Sequence, residues 1–164
     1  MRVVIMRSIP GGGKSHLIHK WEEKYWQFPQ QWVVCSADHY HIINGVYTYK
    51  PENAAMAHAN CLKRYAEAVT GHGYPEGVQY LFVDNTNSTD LEIAPYYRLA
   101  EAYGRPVSIM QIYCPFDVAV GREVHDVPIS TIWRMHQNIL TEKLPPSWKL
   151  DIISYNTIVP LPVY

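Results

Sequence analysis

Val3-Val4-Ile5-Met6-Arg7-Ser8-Ile9-Pro10-Gly11-Gly12-Gly13-Lys14-Ser15-His16 is the stretch whose reading decides the fold. The apolar, β-branched run from Val3 predicts a short buried strand, the glycines predict a loop, and Lys14-Ser15 opens a segment of helical periodicity. Consecutive glycines let successive backbone N–H groups turn toward one concavity, and a helix beginning near Lys14 adds its own unpaired N–H groups and positive dipole end. A phosphate fits there. Lys14 has the length to reach β- and γ-phosphates, and the Ser15 hydroxyl can hold a magnesium ion bridging them. The stretch from Pro10 through Gly11, Gly12, Gly13, Lys14 and Ser15 to His16 is therefore expected to cradle a nucleoside triphosphate.

The literal P-loop pattern G-x-x-x-x-G-K-[ST] asks for glycine where Ser8 stands. That departure predicts some loss of local backbone freedom and no loss of the anion site. Strand, glycines, Lys-Ser and helix still follow one another in the required order.

Working outward, 164 residues with 48% apolar and 18% charged content describe one compact domain with room for a proper core. Cys35, Cys61 and Cys114 are isolated and odd in number, which predicts neither a disulfide framework nor a zinc knuckle. No apolar run approaches a membrane span and the first residues enter a core strand directly, so the expected location is cytoplasmic. In that compartment the acceptor triplet Asn87-Ser88-Thr89 carries no meaning. A net charge of −1 excludes a protein that tracks a long duplex through many phosphates; any nucleic acid must be gripped over a few nucleotides. Thirteen tyrosines and five tryptophans could supply stacking surfaces for it, or core packing.

Downstream, Leu17, Ile18, Trp21 and Tyr25 have helical spacing, with Pro29 as the stop. Trp32 to Ser36 predicts a second strand that delivers Asp38, His39, Tyr40 and His41 into a loop. In open α/β sheets ligands gather at the carboxyl ends of strands, so Asp38 is the leading candidate for an acidic catalytic group. Asn44 to Pro51 reads as turn and extended chain. From Glu52 to Thr70, Ala55, Ala59, Leu62, Ala66 and Val69 define a predicted helix face, on which His58 is expected to pack. Val78 to Val83 is nearly all apolar, as a central parallel strand should be, and ends in Asp84-Asn85-Thr86-Asn87. An acid there falls beside the magnesium shell. Asp90 to Tyr103 predicts a helix capped by Thr89 or Asp90 and stopped by Gly104. Then follow a strand over Pro106 to Tyr113, a short helix over Phe116 to His125 carrying Arg122, and a helix from Pro128 through Ile132, Met135, Ile139 and Leu140. A strand-like tail runs from Leu150 to Val159, before Pro160-Leu161-Pro162. The alternation predicts an α/β fold, a mostly parallel sheet sandwiched by helices with right-handed crossovers, whose first three loops converge on one edge.

At this point the chain resembles the P-loop polynucleotide-kinase-like family of small kinases. The likeness runs in order from Arg2 to about Met135, through Pro10-Gly11-Gly12-Gly13-Lys14-Ser15, Ser36-Ala37-Asp38-His39-Tyr40 and Gly45-Val46-Tyr47. It continues with Ala57-His58-Ala59-Asn60-Cys61, Asp84-Asn85-Thr86-Asn87 and Arg122-Glu123-Val124-His125-Asp126-Val127-Pro128. The resemblance implies a P-loop NTPase fold with an adenylate-kinase-like sheet, a single domain over 1–164 with a small helical lid at about 115–142, and ATP with Mg2+ as cofactors. It also implies transfer of the γ-phosphate to a hydroxyl of a nucleic acid, either a 5′ end or a hydroxymethyl group on a pyrimidine of bacteriophage DNA. Lys14 and Ser15 match the phosphate and metal residues, Asp38 the general base, and Arg122 a lid arginine. His39 stands where the family carries a second acid. His41 stands where the 5′-kinases hold an arginine against the substrate phosphate, and a histidine lacks that bidentate fork. The common Arg-Asn start of the lid motif is Arg-Glu here, and His125-Asp126 replaces a frequent His-Gly.

The residues themselves suggest the same chemistry, because phosphoryl transfer asks chiefly for alignment and charge neutralisation. Lys14, magnesium on Ser15 and Asp84, and Arg122 would stabilise the moving charge, with Arg134 in reserve. Asp38 would orient and deprotonate the acceptor, and Tyr40, His41, Tyr47 and Asn85 with Asp84 would line its site. His16/His19 and His39/His41 lack the partners of a tetrahedral metal site. A kinase of a free nucleoside or other small metabolite, or a non-catalytic nucleotide-binding module, remains open. Lys14→Ala is expected to abolish triphosphate binding in a calorimetric titration, whereas Ser8→Gly should leave it intact or improve it.

Overall fold

The computed structural model describes residues 1–25, 27, 31–74 and 76–156. In chain order the elements are β1 (Arg2–Arg7), α1 (Lys14–Lys24), β2 (Trp32–Cys35), a 3-10 turn (Ala37–His41), β3 (Ile42–Ile43), β4 (Val46–Tyr47), a second 3-10 turn (Pro51–Asn53) and α2 (Ala54–Thr70). Then come β5 (Tyr80–Val83), α3 (Asp90–Ala102), β6 (Val107–Tyr113), α4 (Phe116–Arg122), α5 (Ile129–Thr141) and β7 (Leu150–Asn156). Five strands form one sheet in the order β2-β5-β1-β6-β7, every neighbouring pair parallel. The expected mostly parallel sheet is thus fully parallel. The predicted extension of the last strand to Val159, the Pro160-Leu161-Pro162 end and the stop at Pro29 lie outside the described residues.

Period-two alternation explains how both faces of β1 are covered. Val4 and Met6 point to one face, where they join Phe82 and Ile112 under Ile18, Leu17 and Trp21 of α1. Val3 and Ile5 point to the other, with Leu81, Val83 and Ile109, under Ala57, Cys61 and Tyr65 of α2 and Ile93 and Tyr97 of α3. A third cluster, Ile9, Cys114, Ala119, Ile132 and Ile139, seats α4 and α5 beyond the carboxyl end of the sheet. All three cysteines are free and buried, and burial pushes the Cys35 thiol up to about 12. No helix among the described residues is long and apolar enough to cross a membrane.

The face of α2 differs from the expected one. Ala57, Cys61, Tyr65, Ala68 and Val69 are buried, while Ala55, Ala59 and His58 are exposed. Alanines occur all around this helix, so their spacing fixes no face. The bulky Tyr65 does: its ring meets Tyr96 edge-on at 5.0 Å and its hydroxyl donates to Tyr96 O at 2.7 Å. The stretch read as turn and extended chain is a β3–β4 hairpin closed by Asn44 and Gly45, at φ 52° and 78°, the pair of left-handed residues a two-residue hairpin turn demands. Thr89 caps α3 in a reciprocal box with Glu92, as the sequence leads one to expect.

Arg7 ends β1 at 2% exposure, and its guanidinium holds the segment that follows β5. It donates to Asn87 O at 3.2 Å, Ser88 O at 3.1 Å and Gln111 Oε1 at 3.0 Å. Asn87, at φ 48°, adds a bond from its amide to Met6 O at 2.7 Å. Three strand ends are locked together this way. Hydrogen bonds from a charged donor are worth about 1.5–3 kcal/mol each, and buried acceptors left unpaired cost more. Arg7→Met is expected to lower stability by about 3 kcal/mol, read as a fall in the urea midpoint at unchanged slope.

Candidate active site

The strand order places β5 between β2 and β1, so the segments after β1, β2 and β5 open side by side at one edge. The glycine run turns as its composition requires, with Gly11 at φ 69° and Gly13 at φ 95°. Gly12 is needed for a different reason: a Cβ there would fall 2.2 Å from Ser8 Oγ and 2.9 Å from Ile9 O. Ser8 is fully buried and donates to Ile112 O at 2.9 Å, which ties the loop to β6. Its backbone is not left-handed, which explains why a side chain is tolerated where the motif asks for glycine. Replacing Ser8 by glycine therefore removes a tether as well as a Cβ. Gly13 precedes α1 without any side-chain cap, so the first N–H groups of that helix are left for an anion, and His16 sits exposed in the same first turn.

Lys14 lies behind the loop and donates to Ile9 O at 3.3 Å. Burial lowers its proton affinity, and the carboxylates of Asp84 and Asp38 act against that. Ser15 Oγ donates to Asp84 Oδ2 at 2.7 Å. Burial raises the Asp84 carboxyl above the usual aspartate range, while Lys14 and the Ser15 hydroxyl pull it back. Asp84 Oδ1 is buried without a hydrogen-bond partner, an arrangement a hydrated divalent ion would relieve. Ser15 and Asp84 therefore fit Mg2+, whose remaining oxygens would come from phosphates and water; among the described residues no cluster of three or more His, Cys, Asp or Glu offers a different metal centre.

Ser36 stitches β2 to β5 in a way the sequence reading did not anticipate. Its hydroxyl donates to Asp84 O at 2.9 Å and accepts from Asp38 N at 3.3 Å, capping the turn that carries Asp38. A serine two residues before an aspartate at a strand end was the available signal. Asp38 is exposed, and its Oδ1 accepts from the Tyr47 hydroxyl at 3.0 Å. Burial first, and then Asp38, push the Tyr47 phenol well up, so it remains a donor. The Tyr47 ring also rests against His125, centroids 4.4 Å apart, joining the hairpin to the segment after α4.

Two residues expected at the acceptor, His41 and Asn85, are engaged elsewhere, and His39 has a partner of its own. His41 is 3% exposed, its ring set edge-on among Tyr40, Tyr47 and Tyr49, so packing replaces the anticipated contact with a substrate phosphate. Asn85 has its amide engaged internally, accepting from Ala37 N at 2.9 Å and donating to Tyr96 Oη at 3.1 Å, which makes it a brace between two loops. His39 Nδ1 meets Arg64 at 2.8 Å, and burial together with that guanidinium lowers its proton affinity. It carries no negative charge, where the resemblance would place an acid. Tyr40, by contrast, is 37% exposed beside Asp38.

Arg122 ends α4 and is exposed, as is Arg134 on α5. What brings α4 to the phosphate loop is Gly11, since a Cβ there would lie 2.0 Å from Ala119 O and 3.1 Å from Glu123 N. Only a glycine lets that turn approach, and Arg122 lies between the two contacting residues in the chain. Glu123 then fixes the loop by accepting from His125 N at 2.6 Å and Val127 N at 3.1 Å.

No protein-family model matches the chain. Over 138 residues it is 28% identical to human NEDD4-binding protein 2, covering 81% of this chain and only 7% of that relative's length. Among solved structures, a sugar kinase from Janibacter sp. superposes with a TM-score of 0.59 at 20% identity, over 98% of this chain and 87% of the other. Kti12 from Chaetomium thermophilum, solved with ADP-AlF3, gives 0.58 at 13% identity over 93% and 89%. The tunicamycin resistance protein of Deinococcus radiodurans gives 0.54 at 14% over 93% and 85%. At such identities the likeness is one of fold, and the chain shares with these structures the α/β fold of P-loop kinases, a parallel sheet flanked by helices.

Proposed function

We propose that the protein is a P-loop phosphotransferase that moves the γ-phosphate of ATP to a hydroxyl group of a nucleic acid, at a 5′ end or on a hydroxymethylpyrimidine. The observation that carries this reading is the Ser15–Asp84 bond of 2.7 Å at the mouth of a glycine loop, with Lys14 and Asp38 acting on the same carboxylate. The loop N–H groups and Lys14 bind the triphosphate. Bound between Ser15 and Asp84, Mg2+ would neutralise phosphate charge. Asp38, held by Tyr47, takes the acceptor proton as the acceptor oxygen bonds to the γ-phosphorus; the bond from that phosphorus to the bridging oxygen breaks, and ADP leaves. Arg122, on a lid comprising residues 115–142, stabilises the charge on the moving group.

A nucleic-acid acceptor is supported by the exposed Tyr40 and by the apolar tip of the hairpin, where Ile42, Ile43 and Val46 are exposed close to Asp38. A small-molecule acceptor is the second reading, favoured by the net charge of −1, which offers little to a long polyanion. Incubation with γ-labelled ATP and Mg2+ against 5′-hydroxyl oligonucleotides, hydroxymethylpyrimidine DNA and free nucleosides separates the two by where label appears. Label on none of them, with ATP bound, overturns both.

Asp38→Asn should suppress transfer by two orders of magnitude or more, in the range general bases contribute, while ATP affinity stays near normal; equal loss of both would reassign the residue. Burial holds the Asp84 carboxyl above its ordinary range against the pull of Lys14, so Asp84 protonates at a higher pH than a free aspartate as the solution is acidified. Removing the cation by Lys14→Ala should move that titration to still higher pH, measured by carboxyl-carbon NMR.

A further inference from the structure

Between α2 and α3 lies a half-open cavity of about 300 Å3. Ala59 and Leu62 form one wall and Leu91, Pro95 and Tyr96 the other; Asn85, Thr86 and Asn87 make its floor. That floor begins one residue after Asp84, and Asn85 Oδ1 accepts from Ala37 N, the residue before Asp38. No lysine or arginine lines the cavity, and His58 is the lining side chain able to take up a positive charge. Its acid, Glu92, accepts from Ser88 and Thr89 through Oε2. An anionic group would find little compensation there, whereas a flat, uncharged, weakly polar group would lose little on leaving water.

One wall residue is fixed beforehand. Tyr96 is held through its hydroxyl by Asn85, and its ring is set against Tyr65. Pro95 lies inside α3 and has no N–H, so the Leu91 carbonyl one turn earlier on the same wall lacks its helical donor. An apolar slot walled by a proline and an aromatic ring suits a flat heterocycle, and its volume is at the small end of ligand sites, about 300–1,000 Å3.

We propose that this cavity receives the uncharged heterocyclic base of the acceptor, in a free nucleoside or in an unpaired nucleotide of a strand, while the acceptor hydroxyl remains at Asp38. The assignment rests on the kinase reading for its connection to chemistry, but base binding can be measured without it.

Ala59 is exposed on α2, so a larger side chain there fills the slot without entering the core. Binding of adenosine, cytidine, guanosine and a 5′-hydroxyl oligonucleotide is followed by saturation-transfer NMR in the wild type and in Ala59→Trp, with Mg·ATP affinity measured by calorimetry. Ala59→Met, a smaller filler, serves should tryptophan lower the thermal midpoint. The expected result is at least a tenfold loss of nucleoside or oligonucleotide affinity with ATP affinity unchanged. Binding of nucleosides alone or of the oligonucleotide alone supports the base site equally and identifies the source. Base binding that survives both filled variants, or wild-type protein that binds ATP and none of the bases, overturns the proposal. Base binding sensitive to Ala59→Trp in a protein without affinity for ATP would instead sink the kinase reading and leave the cavity assigned.

Discussion

Lys14 and Asp84 are charges partly withdrawn from water and placed within reach of each other's field, and the rest of the structure is arranged so that neither stands alone. Each is disfavoured by burial and favoured by the other. Such a pairing contributes little to stability and much to readiness: fixed, half-buried charges act more strongly than the same charges in water and need no rearrangement when a polyanion arrives.

Close approach of backbone to backbone is the second constraint. Gly11 accepts the last turn of α4 and Gly12 accepts Ser8, so two of the three loop glycines are dictated by neighbours rather than by the anion. The departure at Ser8 belongs to the same packing: a hydroxyl replaces an empty position and converts it into a bond to β6. Arg7, one residue earlier, extends the anchorage to the segment carrying Asp84.

Most of the fold was legible because strands with long apolar runs and a helix with a clear cap leave unambiguous periodicity. The α2 face was misread because alanine fits any environment, and Tyr65, which was not placed on the expected face, is the anchor. In the site, Lys14, Ser15, Asp38 and Asp84 come together at one sheet edge as their positions at strand ends require. His41 and Asn85 were harder, because their roles depend on which way a short turn points its side chains, and no spacing rule records that. The bonds of Ser36 and Tyr47 to neighbours distant in sequence were invisible for the same reason.

The sealed thiols have a practical consequence. With Cys35, Cys61 and Cys114 all enclosed and Cys35 strongly disposed to keep its proton, the native chain offers alkylating reagents little to attack. A thiol introduced at an exposed position such as Val124 could then take a fluorophore selectively, with the native cysteines left in place. The chain thus provides its own silent background for spectroscopy of the segment beside the phosphate loop.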